Sequence, residues 1–307
     1  MRTIGIPLRK LDTKLASVRY RILIPATHID ENAYRYVFGQ PGDITLCLKH
    51  SMTLSTVSEL PGQIIWDVAD DHFDSATLGD YYRTMPDLVD VVTCTTPTLA
   101  ARIKTETGVS PVVIPDPVEY EKQYPSVSAP EKLFWYGHTS NLQALFDLKL
   151  DRPVLIVTNA KESWCFPFSA ENMRMGYSWC DAVIIPIQDT GAGPRKNAKS
   201  SNRMTEAINA GRFVIANPMP AYEGWGMWLG DIEEGIEWMR NNPREALNKL
   251  ILAQEMVTEK LAPQVIARQW KTLFDSILDA EQNDGTDTST SILPTIGLEN
   301  SRMSAQT

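Results

Sequence analysis

Four cations and one carboxylate gather around a single predicted helix in the second half of this chain. Arg195, Lys196 and Lys199 lead into the stretch Ser200–Ala210, Arg203 lies in its first turn, and Glu206 follows one turn later. The stretch opens with Ser200, Ser201 and Asn202, residue types that accept hydrogen bonds from the free amides of a first helical turn. Gly211 stands where a left-handed residue commonly closes a helix. The leading amides and positive end of a helix already favour an anion, and neighbouring lysine and arginine side chains strengthen that preference. A carboxylate on the same helix can accept hydrogen bonds from paired hydroxyls, as on a ribose. The set suits a nucleotide diphosphate sugar. A solvated basic loop that caps a helix accounts for the same residues equally well.

The elements that must position these groups flank them on both sides. The apolar runs Ala182–Ile187 and Phe213–Ala216 are rich in β-branched residues and bounded by turn residues, which marks them as buried strands. Two parallel strands joined by a helix place the loop before that helix at the carboxyl edge of the sheet, where open α/β folds bind ligands.

Taken whole, the segment from Asp181 to Gly226 resembles the nucleotide-binding half of GT-B glycosyltransferases, in particular the retaining family-4 group. The residues that carry the resemblance are Lys199, Asn202, Arg203, Glu206, Ala207, Gly211, Val214, Tyr222, Glu223 and Gly224. It extends weakly over residues 17 to 275, and only this segment is specific. The resemblance implies a fold of two Rossmann-like domains whose parallel sheets face a central cleft. It implies that Lys199 and Arg203 hold the donor diphosphate, with Asn202 beside them and Glu206 on the ribose. The family pattern places a second glutamate eight positions before Glu206, near the transferred sugar; here that position is Ala198. No cofactor and no metal are expected, the nucleotide sugar being a substrate.

A second loop enters on the same grounds. Tyr136-Gly137-His138-Thr139-Ser140-Asn141 follows a short apolar run and precedes a helical pattern. Gly137 lets a backbone approach a ligand closely, and the first amides of the helix can face a phosphate. By the resemblance, Gly137, His138 and Asn141 line the donor site, with His138 where the family often has arginine. A plain strand–turn–helix with an Asn cap also explains these residues.

On the opposite half, Asp67, Asp70, Asp71, His72 and Asp74 cluster after the strand residues Ile64–Trp66. A carboxylate beside an imidazole can orient an acceptor hydroxyl or its proton, and Asp70 and His72 are the candidates for that role. An Asp-capped solvated loop is the competing account. Ser17-Val18-Arg19-Tyr20-Arg21 resembles the opening strand of many family members. Arg19 and Arg21 are expected on one face of that strand, in ion pairs with acids. Trp225 and Trp228 are expected to pack in the core, and His28 and His50 to lie in loops or at the surface.

Along the chain, strand patterns fall at Arg19–Pro25, Ile44–Lys49, Ile64–Val68, Leu88–Thr93 and Val112–Ile114. Helical patterns fall at Glu31–Phe38, Ala76–Met85 and Thr98–Thr107. Such alternation predicts a parallel sheet covered by helices. The polar, Pro-bearing stretch Tyr120–Pro130 marks a boundary. A second unit has strands Leu133–Tyr136, Val154–Val157, Ala182–Pro186 and Phe213–Ala216. Helices Ile232–Asn241, Pro243–Lys260 and Pro263–Glu281 follow, the last packing back on the first domain through Trp270 by the resemblance. The expected domains are 1–125 for the acceptor, 126–281 for the nucleotide sugar, and a Ser/Thr/Asp/Asn-rich tail over 282–307.

The 307 residues suffice for two modest cores, and a formal charge of −9 disfavours a broad nucleic-acid surface while permitting a local basic cleft. The absence of any long apolar run or signal-peptide pattern points to a cytoplasmic protein. The four cysteines form no CxxC pair and read as reduced core thiols. The leading expectation is transfer of a sugar from a nucleotide diphosphate sugar to a hydroxyl on a glycan or lipid-linked glycan, with retention implied by the resemblance alone. Two alternatives stand beside it. One is a phage-type DNA glycosyltransferase acting on hydroxymethylated pyrimidines. The other is a non-catalytic sugar-nucleotide-binding protein that keeps the fold, as Ala198 would allow.

Overall fold

The structure, a computed structural model, describes residues 1–8, 12–187 and 198–284. Arg195 and Lys196, two of the cations singled out above, lie outside the described residues.

Two parallel sheets of six strands each form the frame. The first contains β1 (Arg2–Ile6), β2 (Tyr34–Phe38), β3 (Ile44–Leu48), β4 (Gln63–Val68), β5 (Val91–Cys94) and β6 (Val112–Val113), in the order β2-β1-β3-β4-β5-β6. The second contains β7 (Leu133–Tyr136), β8 (Val154–Thr158), β9 (Phe166–Pro167), β10 (Ala182–Ile185), β11 (Phe213–Ala216) and β12 (Trp228–Leu229), in the order β12-β11-β10-β7-β8-β9. Every residue of β3, β7, β10 and β11 is buried. That is the signature of parallel strands covered by helices on both faces, and it is why these strands read as unbroken apolar runs.

Two expectations for the first half are corrected. Residues 16–28, expected to hold the strand Arg19–Pro25, are helical throughout, with a π turn over Arg19–Leu23. Val18, Tyr20 and Ile22 alternate in a strand-like way and all three are buried, but Val18, Arg21, Ile22, Pro25 and Ile29, buried with them, follow the helical period. Arg19 and Arg21 do form ion pairs, to Glu119 and Asp67, but from a helix. The opening strand is instead β1. Conversely Tyr34–Phe38, expected within a helix over Glu31–Phe38, is β2 and runs in register with β1 from Arg2↔Tyr34 to Ile6↔Phe38. Its sequence YRYVF is made of residues that suit a pleated surface. The short strands β9 and β12 and the helix Ala170–Trp179 were not anticipated. Gly176 in that helix sits against the Phe134 ring, which a Cβ would approach to 2.3 Å.

Between β6 and β7 the chain is extended, with no helix or strand of its own. It is pinned along the 202–209 helix and the turn after it: Gln123 N–H donates to Asn209 O and Ser126 N–H to Gly211 O, at 2.9 and 3.1 Å. Gly211 has φ +72, and a Cβ there would lie 2.2 Å from Tyr124 O, so glycine is required by both conformation and space. The last helix, Pro263–Asp284, packs on residues 24–28 of the first half. Its Trp270 is fully buried and its Phe274 ring lies 5.4 Å from that of Tyr34.

β1 meets the loop before β3 backbone to backbone. A Cβ on Gly5 would lie 2.2 Å from Gly42 N, and one on Gly42 2.5 Å from Gly5 N. Neither contact can be relieved by rotating a side chain. Gly5→Ala should therefore destabilise the protein by about 1–3 kcal/mol or more, lowering the urea midpoint without changing the slope. An unchanged midpoint would show that β1 is not held as described.

Candidate functional site

The carboxyl edges of the two sheets carry the polar groups that the sequence singled out. Strand β7 ends in Trp135 and Tyr136, and Gly137 follows. Arg203, in the first turn of the helix Asn202–Asn209, lies over both rings, its Cζ 5.4 Å from the Trp135 centroid and 5.7 Å from that of Tyr136. The Tyr136 hydroxyl donates to Arg203 O, tying the helix start to the strand end. A Cβ on Gly137 would come within 3.4 Å of the Arg203 Cζ and 3.0 Å of the Trp135 ring. The tight approach is to the Trp135 ring, so glycine here leaves the ring on which the guanidinium lies undisturbed. Arg203 Nε and Nη2 are buried and have no hydrogen-bond partner among the described residues. A guanidinium stacked on aromatic faces with unused N–H bonds matches phosphate geometry.

The neighbouring loop residues are placed mainly by local bonds. His138 is exposed and its Nδ1 accepts from Ser140 N–H at 3.2 Å, capping the turn Thr139–Asn141. Asn141 N–H donates to His138 O at 2.9 Å. The main helix begins at Asn202, where Ser200 Oγ accepts from Asn202 N–H at 3.2 Å; Ser201 caps nothing with its side chain. Gly137 and Arg203 are thus brought together, and His138 and Asn141 lie on the same loop as Gly137.

Glu206 is turned elsewhere. It is 2 % exposed, and its Oε1 accepts from Glu119 N–H at 2.6 Å and from the Tyr20 hydroxyl at 3.2 Å. Its Oε2 is buried without a hydrogen-bond partner. Burial drives its pKa up to about 8, more than the two donors on Oε1 pull it down. The carboxyl therefore joins the helix 202–209 to the linker and to residues 16–28.

Facing this, β3 and β4 end in Lys49 and in the acidic loop. The loop divides into two parts. Asp67 is fully buried, gripped by Arg21 through Nε–Oδ2 at 2.9 Å and Nη2–Oδ1 at 2.7 Å, with Thr93 Oγ1 donating to Oδ1 at 2.7 Å. Asp71 accepts from Phe73 N–H at 3.1 Å, and Asp74 pairs with Arg102 at 2.7 Å. These three are structural. Asp70 is exposed and pairs with the Lys49 ammonium. The Asp70 side chain is 53 % exposed and the burial of the remainder works against ionisation, but Lys49, His72 and Lys199 together hold its pKa below the usual carboxylate value. The His72 ring packs edge-on against Tyr82 at 5.3 Å and His50 at 5.8 Å. Four residues from three chain segments, Lys49, Asp70 and His72 on one side and Lys199 on the other, thus share one electrostatic neighbourhood.

The segment that carries Lys199 is seated on the first sheet. Ala198 is 2 % exposed within the apolar cluster of Trp66, Cys94 and Leu99, and Thr96 Oγ1 donates to Ala198 O at 3.4 Å. Ser200 Oγ donates to Asp116 Oδ2 at 2.6 Å, and Asp116 lies 3.5 Å from Arg21. Arg21 in turn lies over the Trp270 ring at 5.1 Å.

Sequence reasoning missed Lys49, the Trp135–Tyr136 platform and the Arg21 network. Lys49 had one usable signal, its place immediately after a buried strand. The other two depend on contacts between residues far apart in the chain. Trp228 is half-buried and packs on the edge of the core, its ring 5.5 Å from that of Trp238, and the half-buried Trp225 donates its Nε1–H to Ala221 O at 3.2 Å. Among the described residues no group of three His, Cys, Asp or Glu could hold a metal ion, and no helix is long and apolar enough to cross a membrane.

No model of a protein family and no curated protein sequence matches the chain. Solved structures do. HepE of Anabaena, in complex with UDP and glucose, is similar at TM-score 0.62 and 12 % identity, over 90 % of this chain and 100 % of that one. An α-glucosyltransferase in complex with UDP and a 13-mer DNA containing an HMU base is similar at TM-score 0.63 and 10 % identity, over 90 % and 99 %. TarM is similar at TM-score 0.54 and 15 % identity, over 76 % of this chain and 55 % of TarM, so the chain spans about half of that protein's length. The fold is therefore GT-B, as the resemblance implied.

The buried Glu206 carboxyl makes a signed prediction. In the unfolded chain it ionises near 4.5, in the folded protein near 8. Between those values the native state binds the extra proton, so its stability falls as pH rises through the window and levels off above it. Glu206→Gln keeps the Oε1 acceptor and removes the charge. The variant should match wild type near pH 4 and become progressively more stable relative to it up to pH 8, as read by thermal unfolding. A gap that does not change with pH would contradict the burial described here.

Proposed function

We propose that this protein is a glycosyltransferase that moves a sugar from a nucleotide diphosphate sugar to a hydroxyl on a glycan or lipid-linked glycan. The single observation that carries the reading is the Arg203 guanidinium, stacked on Trp135 and Tyr136 with two buried nitrogens unused among the described residues. It sits beside Gly137 at a helix start, on a GT-B frame whose solved neighbours include complexes with UDP.

The chemistry follows from where charge develops. The bond between the sugar carbon and the phosphate oxygen breaks, and the diphosphate departs with the electron pair. The acceptor oxygen bonds the same carbon and gives up its proton. Cations and amides fixed in advance around the departing diphosphate lower this barrier because they need no rearrangement as the charge grows. Arg203 and Lys199 take that role, with the Gly137 loop, including His138 and Asn141, closing over the diphosphate beside Asn202. Asp70 and His72, across from Lys199, orient the acceptor hydroxyl. Glu206 takes the ribose only if its carboxyl leaves Glu119 and Tyr20; in the arrangement described it braces the helix instead. Retention of configuration is part of the proposal on resemblance alone. The α-glucosyltransferase solved with HMU-containing DNA supports a second reading, a hydroxymethylated DNA acceptor. The net charge of −9 weighs against it.

The test is a thermal-shift screen with nucleoside diphosphates and their sugars, followed by a transfer assay with glycan, lipid-linked and hydroxymethylated-DNA acceptors. A UDP- or GDP-sugar should raise the melting temperature. Arg203→Ala should weaken diphosphate binding by about 1.5–3 kcal/mol, the worth of hydrogen bonds to a charged group. Lys199→Ala should lower turnover far more than stability. Undiminished transfer by both variants would remove the mechanism, and binding without turnover for any acceptor would favour the non-catalytic alternative.

A further inference from the structure

Lys49 is one of two non-glycine residues with positive φ among the described residues, at +48. For a residue with a Cβ the left-handed region is unfavourable, and such backbone persists only where surrounding bonds hold it. Here they do. Lys49 N–H donates to Asp67 O at 2.9 Å, and Lys49 O accepts from the Trp66 indole N–H at 2.6 Å. Both partners belong to β4, and β4 itself is fixed by the grip of Arg21 on Asp67. The main chain of Lys49 is thus tied to β4 at both its ends, and its side chain reaches forward to the loop that β4 feeds. There its ammonium meets Asp70.

We propose that Lys49 is a positioning residue for the acceptor edge: its held left-handed backbone delivers the ammonium to Asp70 and keeps that carboxylate ionised and in place beside His72. The inference rests on the reading of Asp70 and His72 as the groups that orient the acceptor hydroxyl. It adds the residue that makes Asp70 fit for the task. An acceptor hydroxyl donates its hydrogen bond best to a charged carboxylate in a fixed position, and a lone carboxylate on an exposed loop has neither property secured.

The charged and titratable groups around Asp70 come from five stretches of chain. Lys49 stands at the end of β3, His72 on the same loop, and Lys199 on the segment before the 202–209 helix. The Tyr82 phenol faces it from the helix Gly79–Thr84, and Asp116 feels it from the linker. His50 joins through its ring contact with His72. Lys49 donates a hydrogen bond to Asp70, so its removal acts on that carboxylate directly.

The experiment compares wild type with Lys49→Met, Lys49→Arg and Lys49→Asn. Asparagine tolerates the left-handed backbone and removes the charge, so it serves if the methionine variant fails to fold. Two readouts are followed: the Asp70 carboxyl titration by carbon-13 NMR, and the pH profile of kcat/KM for sugar transfer. Loss of the neighbouring cation should raise the Asp70 titration by about one pH unit. The acid limb of the pH profile should move upward by the same amount and the acceptor KM should rise, while UDP affinity by calorimetry stays unchanged. Lys49→Arg should restore both readouts. An Asp70 titration that is the same in the Met and Asn variants as in wild type overturns the proposal. So does equal loss in the Arg and Asn variants, or a loss confined to UDP binding. A wild type that binds UDP but transfers no sugar would defeat the proposed function instead, and the Asp70 titration would still decide the role of Lys49.

Discussion

A single buried cation holds this molecule together at the place where its parts meet. Arg21 is fully enclosed, and an enclosed guanidinium is tolerable only with its charge paired and its N–H bonds used. Asp67 takes two of them, Ile114 O takes another, and Asp116 stands 3.5 Å away. The flat face rests on Trp270. The partners belong to three elements: β4, the start of the linker, and the last helix. Geometry that satisfies Arg21 therefore fixes the helical entry 16–28, the first sheet, the linker and the closing helix relative to one another. Taking away one partner would leave a charge uncompensated, which costs about 3–5 kcal/mol in comparable sites. The arrangement works as a constraint more than as a source of stability.

Both halves of the candidate site are attached to that constraint. Three residues beyond Asp67 the chain reaches Asp70. From Asp116 the hydrogen bond to Ser200 leads, three residues on, to Arg203. The spacing between the cation proposed for the diphosphate and the carboxylate proposed for the acceptor is thus set by short chain segments running out from the same buried network. Ala198 adds a second attachment by packing into the apolar cluster of the first half. A carboxylate at position 198 would bring a charge into that cluster, among Trp66, Cys94 and Leu99, at a substantial desolvation penalty. Alanine is what lets the segment lie down on the first sheet, so the departure from the family pattern is a packing commitment in this chain.

How much was legible in the sequence depended on whether the cause was local. The strands β7, β8, β10 and β11 were read correctly because strands buried on both faces have to be continuous runs of apolar, largely β-branched residues. The helix at 202–209 was read correctly from its polar start and its closing Gly211. Residues 16–28 were misread because Val18, Tyr20 and Ile22 satisfy a two-residue period as well as a helical one. Nothing within the segment shows that Arg21 must turn inward to Asp67, forty-six residues away. β1 was passed over because five residues containing a glycine give a weak strand signal, and the reason for that glycine, the Gly42 backbone, is likewise distant. The same holds within the site. Gly137, Arg203, Asp70 and His72 could be chosen by type and by position at strand ends. The turning of Glu206 toward Glu119 and Tyr20, and the reach of Lys49 to Asp70, are consequences of packing between halves.

The arginines that are wholly or partly enclosed differ in how their charge is compensated. Arg21 is neutralised by Asp67 and Asp116, and Arg102 by Asp71, Asp74 and Glu106. In both, burial is matched by carboxylates from neighbouring elements. Arg203 has no carboxylate partner among the described residues, and its compensation is the π faces of Trp135 and Tyr136. Stacking on rings attracts a cation but leaves the in-plane N–H bonds free for other partners, and among the described residues Nε and Nη2 have none. A fold that pairs Arg21 and Arg102 with acids and gives Arg212 two backbone carbonyls, yet carries this one on aromatic rings beside a glycine and a helix start, keeps the plane of the guanidinium open. A planar donor fork held in that way is matched by two oxygens of one phosphate, and more closely by that group than by a single carbonyl or by water.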